Sequence, residues 1–354
     1  MSNYRVFISY SHEERDKYEI VRDSLTKVGQ EIDLVPWSDG NIQAGSGFTE
    51  EIQNLIAHSH LFVPIITPIS HQRGWVHQEI GFAVAMRIPV VPISIGELPD
   101  GMIRMGHAIE LKECSECLPR LKCQNFKELI ARAGKSWLPS GDCAKEPGLR
   151  AQVIERLCDE ARRYVGTQCV RHSGGLSSFR IPNAHPDHPS WAAQYADQPR
   201  SPADYIHLRG ERNALASHAD KAGCKLIINY GIDHDKVLGA GAWSSRIRML
   251  VRYLETLTDK QAEVALVTKA APHAWLAVGD WFLAESAAVQ PVRGIQNTLF
   301  TTHAPSIDRR IQEFDHDLAD LLDSQGSPPG ASRSWAIEVL KKRMEELPRH
   351  PAWP

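Results

Sequence analysis

Glu79 and Trp75 are the residues of this sequence whose types and spacing best suit chemistry on a bound molecule. The segment Trp75–Met86 has the periodicity of an amphipathic helix, on which residues four positions apart share a face. Val76 and Ile80 belong to the adjoining apolar stripe, so we expect Glu79 at the rim of a buried surface, where partial loss of hydration raises the pKa of a carboxyl group. From spacing alone, the alternative is an exposed Glu79 beside a Trp75 that fills the core.

Two further groups of candidate residues follow predicted strands. Ser9 and Tyr10 stand at the end of the first strand, and Trp37 and Asp39 directly follow the second. Ligands of open α/β sheets bind outside the carboxyl ends of the strands. We therefore expect these side chains to hold a substrate. Capping of the next helix is the alternative role for the hydroxyls after the first strand.

Three cysteines, Cys114, Cys117 and Cys123, have part of the spacing of a zinc site. A closed structural site needs a fourth ligand, and no Cys or His follows at the usual spacing. We expect no metal, although the sequence alone leaves open whether these thiols bind one.

The second half of the chain offers weaker candidates. Arg246, Arg248 and Arg252 have helical spacing and could hold phosphate, but a solvated helix face is the favoured interpretation. His185 and His188 lie in a polar stretch without paired ligands, which favours a solvated loop over a metal site.

In the N-terminal part, strand-forming runs alternate with helical periodicity. The predicted strands are Tyr4–Ser9, Glu31–Pro36, Leu61–Ile66, Ile88–Ile93 and Ala108–Leu111. The predicted helices are Glu13–Val28, Trp75–Met86 and Phe126–Ala133. Strands that are apolar almost throughout are typical of a parallel sheet covered by helices on both faces. The pattern therefore predicts an α/β fold.

The C-terminal part is also predicted to be α/β. After a domain at 1–138, residues 139–203 are interpreted as a helix and a linker rich in proline and histidine, and residues 204–354 as a second domain. Its predicted strands are Lys225–Asn229, Glu263–Val267 and Trp275–Leu283. Its predicted helices are Ser244–Leu257 and Ile307–Leu322.

Composition bounds the possible functions. The 354 residues are 42% hydrophobic and 23% charged, as in ordinary globular proteins, and the formal net charge of −3 argues against a strongly basic nucleic-acid-binding body. No apolar run reaches the roughly 18 residues of a membrane span, and the first residues do not resemble a secretory signal. Seven scattered cysteines do not form a disulfide pattern, so we expect a reduced, cytoplasmic protein.

The N-terminal part resembles a Toll/interleukin-receptor (TIR) domain. The resemblance rests on three motifs in the order and at the separations of that family: Val6–Ser11, which ends in a Ser-Tyr-Ser run; Trp37–Gly40 with Gly45; and Thr67-Pro68 with Ser70 and Trp75–Glu79. It implies a flavodoxin-like sheet and one of two functions. Bacterial and plant TIR domains often cleave NAD+ between nicotinamide and ribose, whereas others only assemble with further TIR domains.

The resemblance gives the candidate residues definite roles. Glu79 would be the catalytic carboxylate that stabilises an oxocarbenium-like ribose. Ser9, Tyr10 and Trp75 would contact NAD+, and Trp37 and Asp39 would either close over it or pack on a neighbouring copy.

The resemblance favours an NAD+ nucleosidase that acts as a regulated effector of the anti-phage type. NAD+ would be its substrate, with no cofactor, and its product linear or cyclic ADP-ribose. The C-terminal domain would sense a trigger that is a nucleotide, a nucleic acid or a protein, and would promote self-association. The alternatives are a non-enzymatic TIR adaptor and a nucleoside-modifying enzyme on a related sheet.

Overall fold

Five short strands of the N-terminal part form a parallel sheet. The computed structural model describes residues 4–32, 34–38, 50–96, 108–135, 143–195, 201–231, 240–268, 273–290 and 295–347. Within these ranges the strands are β1 Tyr4–Ser9, β2 Leu34–Trp37, β3 Leu61–Ile66, β4 Ile93–Ile95 and β5 Ile109–Leu111. Their order is β2-β1-β3-β4-β5, and every neighbouring pair runs parallel. The α/β prediction is therefore confirmed.

Helices follow these strands along the chain. They are α1 Arg15–Ile32, α2 Glu50–Ala57, α3 Pro68–His71, α4 Gly74–Ala85, α5 Cys117–Lys122 and α6 Phe126–Ala133. Alternation along β1 sends Val6 and Ile8 into a core shared with Leu25 of α1. Phe7 points to the opposite face, where its ring stacks on Phe62 of β3. Both faces of the sheet are thus buried, as the apolar strands predict.

The fourth strand is shorter than predicted, and proline explains the difference. The prediction Ile88–Ile93 shares only its last residue with β4, and Val90 forms an isolated bridge with Phe62. Pro89 and Pro92 lack the backbone N–H that a continuous ladder requires.

The C-terminal part forms a second, mixed sheet. Its described strands are β6 Cys143–Ala144, β7 Val170–Gly174, β8 Cys224–Asn229, β9 Ala262–Val267, β10 His273–Val278, β11 Phe282–Gln290 and β12 Ile295–Thr301. Their order is β6-β12-β11-β10-β7-β8-β9, with β7, β8 and β9 mutually parallel and the other pairs antiparallel. The helices are α7 Pro147–Tyr164, α8 Pro189–Tyr195, α9 Pro202–Ala222, α10 Ala240–Glu255, α11 Ala304–Ser324 and α12 Ser332–Glu346.

Two predictions for this part are wrong. The stretch within 139–203 interpreted as a linker contains strand β7, which lies inside the second sheet, and helix α8, whose Trp191 is 1% exposed. The single predicted strand Trp275–Leu283 is a hairpin of β10 and β11. Gly279, with φ of +51°, makes the turn between them, a backbone conformation that favours glycine.

The chain divides into two compact units. One consists of residues 1–138 and 302–310, and the other of residues 139–301 and 311–354. The first unit thus takes up a segment, 302–310, that is distant in sequence. No helix in the described part of the chain is both long and apolar enough to span a membrane.

Candidate functional site

The carboxyl edge of the first sheet brings Ser9 and Glu79 together. Ser9 is the last residue of β1, and Glu79 lies in the second turn of α4. The Ser9 hydroxyl donates a hydrogen bond of 2.5 Å to Oε2 of Glu79, and the two residues are 2% and 1% exposed. Two residues that are 70 positions apart in sequence therefore form one buried polar pair.

The apolar face of α4 explains why Glu79 is buried. Val76, Ile80 and Ala83 are at most 2% exposed and pack into the core, and Glu79 lies beside this stripe. The sequence placed Glu79 at the rim of the buried surface, whereas the structure buries it. Val84 of the same helix is 44% exposed and lies outside this stripe.

A row of aromatic rings crosses the same edge. The ring of Tyr10 stacks on Tyr18 at 4.2 Å between centroids and meets His12 edge-on at 5.4 Å. His12 stacks in turn on Trp75, with centroids 6.0 Å apart and planes inclined by 29°. Tyr10 is 4% exposed and belongs to the core on the α1 side of the sheet. Its role as a substrate-binding residue stays a prediction.

Trp37, the last residue of β2, does not lie beside Ser9 in register. Trp37 ends β2 opposite Phe7 of β1, and the guanidinium carbon of Arg5 lies 5.4 Å from the centroid of its ring. This distance is typical of a cation–π contact. Asp39 lies outside the described residues, so its predicted role, like that of Trp37, stays a prediction.

Glu14 is a second buried carboxylate at this edge, and the sequence analysis missed it. It belongs to the single turn His12–Glu14 and is 4% exposed. One of its oxygens accepts a hydrogen bond from the hydroxyl of Thr67, which follows β3, and the other lies 2.5 Å from the ammonium group of Lys17. The neighbouring Glu13 forms an ion pair with Arg73. Two contacts thus tie the turn after β1 to the segment that leads into α4.

The three cysteines that are close in sequence differ in their exposure. Cys117 is buried, which raises the pKa of its thiol to about 11, while Cys114 is partly exposed and Cys123 is exposed. In the ranges that the structure describes, no three His, Cys, Asp or Glu side chains form a potential metal site.

The second unit corrects one prediction and adds a buried polar network. Arg246 does not lie on a solvated face: it is 6% exposed and donates to the backbone carbonyl of Gln194. Glu211 of α9 is 0% exposed, and its Oε1 accepts hydrogen bonds from Arg150 at 2.6 Å and from Ser178 at 2.5 Å. Periodicity cannot identify such pairs, because their partners come from distant elements.

Comparison with known proteins agrees with the N-terminal geometry. Residues 6–121 match the family model of the TIR domain. No curated protein matches the chain. Among solved structures, the chain is similar to the archaeal chromatin protein TrmBL2, described as showing a novel mode of DNA binding, at 12% identity over 55% of this chain and 58% of that chain. The TM-score is 0.26, so this likeness supports no conclusion about fold or function.

Proposed function

We propose that the TIR domain of residues 6–121 cleaves NAD+ at the bond between nicotinamide and ribose, with Glu79 as the catalytic carboxylate. The observation that carries this proposal is the buried carboxylate of Glu79, held by the Ser9 hydroxyl at the carboxyl edge of the sheet. A negative charge at a desolvated position interacts more strongly with a developing positive charge than the same group does in water.

The reaction needs few groups. As the bond between C1′ of the ribose and the nicotinamide nitrogen breaks, its electron pair moves to the nitrogen, so the cationic nicotinamide leaves as a neutral molecule without a general acid. The ribose acquires oxocarbenium character, which the carboxylate of Glu79 stabilises. Addition of water to C1′ then gives ADP-ribose and a proton, whereas addition of the adenine ring of the same molecule gives a cyclic product.

The residues around Glu79 support its role in specific ways. Ser9 fixes one carboxylate oxygen at 2.5 Å and so limits the rotation of the side chain. Trp75, one helical turn before Glu79, is partly exposed and offers an indole face to a planar base. Ser9 therefore acts as a positioning residue, and Trp75 is the substrate contact that we favour.

The proposal is tested by nicotinamide release from NAD+. The purified full chain is compared with Glu79→Gln, which keeps the size and hydrogen-bonding capacity of the side chain but removes its charge. Glu110→Gln is the matched control, because Glu110 is an exposed carboxylate on β5 of the same sheet. Release by the wild type and the control, with loss in Glu79→Gln, supports the proposal.

We further propose that the second unit regulates this activity, in an effector of the anti-phage type, by responding to a trigger and promoting self-association. An unregulated NADase would deplete its host of NAD+, so a regulatory unit is expected on physical grounds. Specific activity that rises with protein concentration, together with light scattering of the same samples, would support assembly. The intact chain is required, because residues 302–310 belong to the first unit and would be lost on truncation after 138.

The second candidate function is a TIR adaptor without catalysis. The observation that favours it is the edge strand β2, whose outer side has no neighbouring strand in the described sheet and whose Val35 is 36% exposed. An adaptor should tolerate Glu79→Gln without loss of self-association, and it should release no nicotinamide at any concentration.

A further inference from the structure

His12 and Trp75 form an aromatic pair that is open to solvent at the edge where Glu79 lies. His12 is exposed and Trp75 partly exposed, whereas the next ring in the row, Tyr10, is buried. A pair that only filled the core would be covered like Tyr10, which is 4% exposed. The exposed end of the row is therefore a candidate contact surface for a planar ligand.

The two rings are in contact with each other. Their centroids are 6.0 Å apart and their planes are inclined by 29°, an ordinary arrangement for an aromatic pair, so no third ring fits between them as they stand. The side of the pair that faces solvent is where a planar ligand can stack.

The backbone that carries His12 is anchored at the next two positions. Glu13 forms an ion pair with Arg73. Glu14, which is buried, accepts a hydrogen bond from the hydroxyl of Thr67. Arg73 is the residue before α4, and Thr67 caps α3, the short helix that precedes it. The same contacts therefore connect the turn of His12 to the segment that leads into the helix of Trp75 and Glu79. A ring positioned in this way loses little conformational entropy when a ligand binds.

We infer that His12 is a substrate-contacting residue, which together with Trp75 contacts the cationic nicotinamide ring of NAD+. This inference rests on the proposed function, and it adds a residue that the sequence motifs do not include. The π faces of two rings attract a planar cation, and Trp75 lies one helical turn from Glu79. The nicotinamide ring, directly attached to the ribose that Glu79 would stabilise, therefore suits this position better than the distant adenine.

The test separates the two ends of the dinucleotide. Binding of NAD+, of nicotinamide mononucleotide and of ADP-ribose is measured by calorimetry with full-length Glu79→Gln, alone and combined with His12→Ala or His12→Phe. His77→Ala is the matched control, because His77 is an exposed histidine of α4 whose ring contacts His71. Thermal unfolding of each variant verifies that the fold is kept.

The inference predicts a selective loss of affinity. His12→Ala should weaken binding of NAD+ and nicotinamide mononucleotide about two- to tenfold, as expected for one aromatic contact, and leave ADP-ribose unchanged. His12→Phe should restore affinity, and His77→Ala should have no effect. In the otherwise wild-type chain, His12→Ala should raise KM by a similar factor. Unchanged affinity in His12→Ala, or a loss confined to ADP-ribose, would overturn the inference.

The experiments distinguish this inference from the proposed reaction. Glu79-dependent cleavage together with His12-independent binding would overturn the role of His12 and leave the reaction standing. His12-dependent binding of nicotinamide mononucleotide without cleavage under any condition would support the contact and overturn the reaction. If no form of the protein bound NAD+ or nicotinamide mononucleotide, both would be overturned.

Discussion

Replacement of Ser9 by alanine tests whether the buried pair with Glu79 serves catalysis. Ser9→Ala removes the hydroxyl that donates a hydrogen bond of 2.5 Å to Oε2 of Glu79. Neither residue is more than 2% exposed. A hydrogen bond to a charged group is worth about 1.5–3 kcal/mol, and a factor of ten in rate corresponds to about 1.4 kcal/mol. If the bond is needed for the reactive position of the carboxylate, kcat for nicotinamide release should fall about 10- to 100-fold.

The same substitution should lower stability, because it removes a donor from a buried carboxylate oxygen. We expect the free energy of unfolding to fall by about 1–3 kcal/mol. Ser59→Ala is the matched control: Ser59 is a fully buried serine of the same unit, and its hydroxyl donates only to the backbone carbonyl of Leu55. That variant should lose stability without loss of kcat.

The assay is steady-state nicotinamide release, with urea unfolding measured on the same preparations. Ser9→Thr, which keeps a hydroxyl, should recover most of the activity, and KM should change less than kcat in Ser9→Ala. Wild-type kcat in a folded Ser9→Ala protein would refute the positioning role. An equal loss of kcat in Ser59→Ala would show that the effect reports stability rather than the position of Glu79.

Further predictions concern stability and thiol reactivity. Burial lowers the pKa of His172 and of His303 to about 4, so between that pH and 6.5, the ordinary pKa of histidine, the unfolded chain binds more protons than the folded chain. The free energy of unfolding should therefore fall by about 1 kcal/mol for each histidine as the pH drops from 7.5 to 5.5. Calorimetric thermal unfolding at a series of pH values measures this change. An unfolding temperature independent of pH over this range would contradict the burial of these rings. Thr67→Val removes both a hydrogen-bond donor to buried Glu14 and the side-chain cap of α3. It should lower the free energy of unfolding, measured by urea denaturation, by about 1–3 kcal/mol, whereas Thr67→Ser should not. Maleimide at pH 8 should label the exposed Cys123 in the native chain but not the buried Cys117, as read by mass spectrometry, and labelling of both at equal rates would refute the described core.

The sequence predicted the elements of the first sheet well where local pattern decides them. The predicted bounds of β1 and β3 are those observed, because apolar runs flanked by polar residues leave one interpretation open. The strand Ile88–Ile93 was placed too early, because propensity alone underestimates the effect of two prolines on a ladder. The polar strand β7 was missed, since its His172 and Ser173 resemble the loop composition around them and only the neighbouring strands define it.

The candidate site was predictable in part. Ser9 and Glu79 were selected for their places at a strand end and on a helix face, but their hydrogen bond depends on packing between distant elements. The sequence did not predict a role for Glu14, because it adjoins Glu13 in a polar run. Only the geometry of the turn decides which of these two carboxylates is buried. Tyr10, chosen together with Ser9, lies in the core on the α1 side, because successive residues of an extended chain point to opposite faces.

The most direct test of the central claim is nicotinamide release from NAD+ by the full-length protein, measured over a series of protein concentrations beside Glu79→Gln and Glu110→Gln. The account predicts release by the wild type and by Glu110→Gln, with a loss of at least about a hundredfold in Glu79→Gln, because one charged group carries the transition-state stabilisation. Equal release by the wild type and Glu79→Gln would contradict the account, and so would an absence of release at every concentration in samples that self-associate.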